Sequence, residues 1–279
     1  VILQPSAREV RRYGSRREKW RCGPPPPPFG VGTRLLGPDA VSIPPIPTAN
    51  QTLWLKPSNF SAPSPSLWTD VSGVGNNFEG PGGVADPTAG TSINGKPTVN
   101  FNGTSQYLSG VAGVEQATIT DPTGEFWTIF CVFLYTGTSA VSPPTGPPII
   151  ANAITGSWGC LAGESAGLIQ AYGMNGFASD ADFGTIISGL SAAPHIMAYR
   201  QNGIAGGSVL AFAVDGVAAA TILPAAVANV SQPMTMGKDG FGNYFKGALG
   251  DIIAYNTYMT DAQVLGVFQN LGAEYGIAV

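Results

Sequence analysis

Few side chains in this sequence have the type and spacing that chemistry requires. Cleavage of a glycosidic bond by the retaining route needs two carboxylates about 5–5.5 Å apart across the sugar. On a strand, that places acids at i and i+2 or i+4, where side chains share a face. No Glu-x-Asp-x-Glu run occurs. Asp180 and Asp182 form the nearest pair, in a Gly/Ser-rich stretch that reads as a polar loop, and Glu125 and Glu164 are isolated. A nucleophile–base triad would have one imidazole to draw on, His195. It follows Ala193-Pro194 at the start of an apolar strand, so a structural role is expected. Gly203 to Gly207 lacks the Lys-Ser/Thr of a phosphate loop. No catalytic residue is assigned, and the expectation is that the chain is not an enzyme.

Metal chemistry has equally little to use. Cys22, Cys131 and Cys160 are odd in number and widely spaced, which fits neither a zinc site nor a disulfide framework. They are expected to be unpaired and mostly buried. No cofactor is expected. A calcium ion would have only Asp70, Asp86, Asp121 and Asp215, scattered in separate loops, and Asp215 is better explained by its turn with Gly216. Stacking on a sugar face would fall to Trp54, Trp68, Trp158 and Tyr244, each of which is equally a core residue by type.

Charge divides the chain. The first 40 residues carry a net +5 and the remainder a net −9. Arg8, Arg11, Arg12, Arg16, Arg17 and Arg21 surround Tyr13 and Trp20, and Pro24 to Pro28 followed by Phe29 make a stiff polyproline segment. Ile43-Pro44-Pro45-Ile46-Pro47 repeats that character. Residues 1–50 therefore read as an extended basic arm that grips an acidic partner. Protein is favoured over nucleic acid, because no nucleic-acid motif accompanies the arginines. No signal peptide is expected, because the basic start runs into prolines rather than an apolar stretch. Thr128 to Tyr135 is far shorter than the ~20 apolar residues that span a bilayer, and no membrane partner is expected.

The elements that would position such residues are mostly strands. Only 11% of residues are charged, and there are 38 glycines and 24 prolines. That composition suits short strands joined by turns. Phe126 to Tyr135 and Phe245 to Tyr255 are the strongest strand segments, and Val209 to Val214 with Asp215-Gly216 signals a hairpin. Leu53 to Leu55 and Leu67-Trp68 read as edge segments. One helix is expected, opened by the capping box Thr260-Asp261-Ala262-Gln263. Val264, Val267, Phe268, Leu271 and Tyr275 form its apolar face, and Gly276 is its stop. The fold class is all-β: a two-sheet antiparallel β-sandwich over residues 51–279, with a short C-terminal helix behind an N-terminal arm.

The order Leu67-Trp68-x-Asp70-x-Ser72-Gly73, Gly95-Lys96-Pro97 through Gly103, Phe126 to Ile129, Val214-Asp215-Gly216, Gly247 to Asn256 and Tyr275-Gly276 resembles the laminin-G/concanavalin A-like jelly-roll superfamily, of phage and bacterial type. The resemblance implies a sandwich with a concave face that in many relatives binds glycans. With the arm, it gives the leading expectation: a structural protein of a virion surface, a capsid decoration or cement protein. The arm would hold it on coat subunits, and it would form homo-oligomers. The alternative expectation is a glycan-binding adhesin or tail-fibre module at a cell surface.

Overall fold

The computed structural model describes residues 43–279 apart from 112, 120–125, 140–146, 153–157, 166–167, 176–182, 204–208 and 219–232. The arm residues Arg8, Arg11, Arg12, Arg16, Arg17, Trp20, Arg21, Pro24, Pro28 and Phe29 lie outside this set. So do Cys22, Asp121, Glu125, Asp180 and Asp182.

Sixteen strands follow in chain order: β1 (Gln51–Ser61), β2 (Leu67–Asp70), β3 (Phe78–Glu79), β4 (Thr88–Ile93), β5 (Lys96–Asn102), β6 (Leu108–Gly110), β7 (Phe126–Tyr135), β8 (Pro148–Asn152), β9 (Trp158–Ser165), β10 (Leu168–Asn175), β11 (Phe183–Leu190), β12 (His195–Asn202), β13 (Val209–Val214), β14 (Val217–Ala218), β15 (Met234–Met236) and β16 (Lys246–Tyr255). A single helical turn, α1 (Gln116–Ile119), precedes β7, and α2 (Asp261–Tyr275) closes the fold. The strands pair antiparallel in one continuous ladder that folds over on itself. One layer centres on β1, β16, β7 and β12, and the other on β15, β8, β9 and β10. The short strands β2, β3 and β6 carry the ladder from layer to layer. The result is the expected all-β sandwich. β1 is not an edge: it lies between β2 and β16, and Leu53 and Leu55 are wholly buried.

Period-two alternation divides the apolar residues between two cores. On β7, Trp127, Ile129, Cys131, Phe133 and Tyr135 face the space between the sheets, with Ile149, Ile150, Cys160, Met234 and Met236 opposite. Phe130 and Val132, on its other face, pack under α2 with Ile196, Ile253 and Tyr255. The buried side of α2 is the predicted stripe: Val264, Val267, Phe268, Leu271 and Tyr275. Its capping box is formed, with the Gln263 N–H donating to the Thr260 hydroxyl and the Thr260 N–H donating to Gln263 Oε1. Gly276 ends it in the left-handed region, at φ 65°. Arg200 of β12 ties down the helix start by donating to the Met259 carbonyl at 2.6 Å and pairing with Asp261.

β16 holds one residue more than β7 across Leu249 to Ile252. This bulge inverts the alternation. Leu249 faces the inter-sheet core before it, and Ile252 and Ala254 face that core after it. It is also where the other edge of β16 passes from β5 to β1. The extra residue turns Asp251 outward beneath the end of α2. Gly250 is required there, because a Cβ would lie 2.8 Å from both Val132 and Tyr275.

The segment from Ile43 to Asn50, placed with the arm by composition, belongs to the compact unit Ser42–Val279. Tyr255 donates its hydroxyl proton to the Pro47 carbonyl at 2.9 Å, Asn270 donates to the Pro44 carbonyl, and Ile46 packs on the helix-side core.

Two substitutions test this architecture. Gly250→Ala is expected to destabilise by about 1–3 kcal/mol, the usual cost of an overpacked core. Thr260→Ala is expected to cost about 1 kcal/mol through the lost cap. Chemical denaturation monitored by tryptophan fluorescence measures both.

Candidate functional site

Most polar groups that chemistry might have used are consumed by the fold. Asp70 Oδ1 accepts the N–H groups of Trp54 and Ser72, and its Oδ2 accepts Ser72 Oγ and the N–H groups of Gly75 and Asn76. Asp86 accepts the N–H groups of Ser66 and Gly82. These carboxylates nucleate loops with backbone donors in the positions a cation would take. Among the described residues, no three His, Cys, Asp or Glu side chains converge as metal ligands.

His195 is buried, with Nδ1 2.6 Å from Asp215 Oδ2 and Nε2 3.0 Å from the Ser191 carbonyl. Both neighbours are acceptors, so only the doubly protonated ring satisfies both. Burial acts to lower the His195 pKa. The Asp215 hydrogen bond, the Ser191 carbonyl and the Asp215 charge outweigh it and hold the pKa above its ordinary value. Asp215 also accepts the Ile196 N–H and forms its turn at φ 50°. The pair fastens the β13–β14 hairpin to the start of β12.

Asp251 is almost fully buried and accepts Trp54 Nε1–H at 2.7 Å and the Tyr275 hydroxyl at 2.7 Å. Desolvation raises its pKa to about 6, against the lowering effect of those two hydrogen bonds. It lies at the base of a cleft of about 230 Å³ bordered by Lys56, Ser58, Lys96, Glu274 and Tyr275. The indole of Trp54 is committed here, covered by Lys56 Nζ at 4.4 Å from the ring centroid.

A different arrangement forms at the loop end of the sandwich. Asn102 Oδ1 accepts the N–H groups of Thr104, Ser105 and Gln106 and so shapes the loop leading to Tyr107. The loop between β15 and β16 is built on Asp239, nearly buried, which accepts the N–H groups of Phe241 and Asn243 and the Asn243 side chain. The two loops meet at Gly237, where a Cβ would lie 2.5 Å from the Phe101 ring. Lys238 is thereby held with Nζ 4.7 Å from the Tyr107 ring centroid and 5.6 Å from that of Tyr244. Phe241 is 50% exposed alongside, and Lys246 reaches over Gly103. Among the described residues, Lys238 and Lys246 have no carboxylate partner within ion-pairing distance. Two half-buried tyrosines, an exposed phenylalanine, an amide and two lysines are the groups with which a surface can stack, donate hydrogen bonds and attract anions.

The four aromatics singled out by sequence are therefore dispersed. Tyr244 is in this cluster, and Trp54 is over Asp251. Trp68 is wholly buried, with Nε1 donating to the Lys56 carbonyl, so it is a core residue and not a contact residue. The side chain of Trp158, on β9, lies outside the described set. Tyr107, Lys238, Phe241 and Asn243 escaped the sequence reading, although a lysine and two aromatics in the glycine-rich loop Gly237–Tyr244 were a usable signal.

The fold and this loop-end surface define a jelly-roll-like β-sandwich. No family model matches the chain, and no curated protein matches it either. Solved structures do. A botulinum neurotoxin type C structure, described by its dependence on two ganglioside molecules for cell entry, aligns at 13% identity and TM-score 0.54, over 80% of this chain and 52% of that one. The binding domain of botulinum neurotoxin DC in complex with SialylT aligns at 13% identity and TM-score 0.53, over 81% and 52%. Trypanosoma rangeli sialidase aligns at 16% identity and TM-score 0.53, over 84% and 34%. The chain thus spans between a third and about half of the structures it matches. The likeness shows a shared fold. It also corrects the expectation that the chain is not an enzyme: sialidase chains contain this fold, so its presence does not exclude activity.

Stability should fall as pH rises. A raised native pKa means the folded chain binds more protons than the unfolded one over that interval. Asp251 contributes on the order of 3 kcal/mol of lost stability between about pH 4 and 6. His195 contributes a second loss above its ordinary pKa of about 6.5. Urea unfolding at stepped pH should show both declines, the first flattened in Asp251→Asn and the second in His195→Gln.

Proposed function

We propose that the sandwich is a glycan-binding module of concanavalin A-like lectin type that works outside the cell or on a surface. We propose further that the loop-end cluster is its contact surface. The observation that carries this is Lys238 held between the rings of Tyr107 and Tyr244, without a carboxylate partner among the described residues. Tyrosine rings stack on the C–H face of a pyranose, and Asn243 and Lys238 supply donors at the rim. Lys238 and Lys246, without a carboxylate partner among the described residues, favour a saccharide bearing a carboxylate. Neighbours described by ganglioside, SialylT and sialic acid complexes support the saccharide class.

The capsid-decoration reading draws no support from these neighbours. Its described share of the arm, from Ile43 to Asn50, packs on its own sandwich.

A glycan array followed by calorimetry tests the proposal. The chain is expected to bind at least one acidic glycan, and both Tyr244→Ala and Lys238→Ala are expected to weaken binding about tenfold or more, equivalent to about 1.4 kcal/mol. Lys56→Ala, at the distant cleft, should leave affinity unchanged. An array without hits at millimolar ligand, or a hit indifferent to both loop-end substitutions, sinks the reading.

A further inference from the structure

We propose that Cys131 and Cys160 are a latent cross-link between the two layers of the sandwich, closed as a disulfide when the chain folds in the presence of a disulfide oxidant. Cys131 lies mid-strand on β7 and Cys160 on β9, and both are fully buried in the inter-sheet core. No ladder joins these strands: β7 pairs with β12 and β16, and β9 with β8 and β10. They meet only across the core.

Facing sheets usually stand about 10 Å apart. Here Cα atoms of β7 and β9 come within 8 Å of each other. The cause is local composition, since the face of β9 turned to the inter-sheet core presents Cys160 and Ala162 where bulkier side chains would hold the layers apart. A disulfide takes Cα separations of about 4.4–6.8 Å, and the small core-facing side chains of β9 let the layers close toward that range. Burial and then the neighbouring Cys160 thiol push the Cys131 thiol well above its ordinary pKa. In the finished core neither thiol meets an oxidant, so closure belongs to the folding chain.

The exchange balances with oxidised glutathione as the oxidant. One cysteine thiolate attacks a glutathione sulfur, the S–S bond of glutathione breaks, and one glutathione thiolate leaves. The second cysteine thiolate then attacks the protein sulfur of this mixed disulfide and expels the other glutathione. Two protein thiols and one glutathione disulfide become one protein disulfide and two glutathione thiols, which take up the two protons.

The test uses the full chain carrying Cys22→Ser, so that only the proposed pair can react. The protein is unfolded, refolded in a glutathione redox buffer, alkylated in denaturant and mapped by non-reducing mass spectrometry. The expected result is one Cys131–Cys160 peptide with no alkylated cysteine, and a thermal midpoint higher than that of the reduced protein by on the order of 10 °C. Dithiothreitol should erase that difference. The same map on chain secreted into an oxidising compartment gives the readout without refolding. Two alkylated cysteines, a cysteine left as its glutathione adduct, or a cross-link that lowers the midpoint would each overturn the proposal.

Discussion

The fold turns on one extra residue in β16. That strand is bonded to β7 along one edge and to β5 and then β1 along the other, so its register fixes three neighbours. Without the bulge, one half of β16 would present its large side chains to the wrong core. With it, Leu249, Ile252 and Ala254 all reach the space between the sheets, while Ala248, Ile253 and Tyr255 reach the helix. The displaced residue is an aspartate, and its burial carries a cost. Trp54 and Tyr275 offset part of that cost by donating to it, which locks β1 and the end of α2 to the same point. A packing requirement thus becomes a polar junction between three elements.

The distribution of polar groups separates scaffold from surface. Asp70, Asp86, Asp215 and Asp239 all point their oxygens at donors in or beside their own loops. Each spends its charge on shaping the chain. The cations of the loop end are not spent this way. The proposed contact surface rests on Lys238, and its neighbour Asp239 rigidifies the loop that aims it.

Much of the scaffold was legible in the sequence because its signals are local. The aromatic and β-branched run Phe126 to Tyr135, the Asp215-Gly216 turn and the Thr260–Gln263 capping box each lie within a window of about ten residues, and each forms as read. Less was visible where composition and structure part. β11 and β4 are rich in glycine, serine and threonine and owe their strand form to partners rather than to propensity. Asp251 sits in an apolar run, and nothing in that run announces a bulge. The fates of Trp54 and Trp68 differ because successive positions and strands face different ways, which residue type does not encode. The loop-end cluster joins Tyr107 to Lys238 and Tyr244 through tertiary packing alone, so only the lysine-and-aromatic loop itself could have been read.

The pairing of Gln51 with Tyr255 has a further consequence, one of timing. The first strand of the sandwich completes its hydrogen bonds only with the last, some two hundred residues later. During synthesis β1, β5 and β7 must each wait with an edge unpaired until β16 leaves the ribosome. Contacts so distant in sequence make folding slow, and waiting strand edges are what aggregation exploits. The nascent sandwich is therefore most vulnerable just before β16 emerges, when a chaperone that covers open strands would matter most.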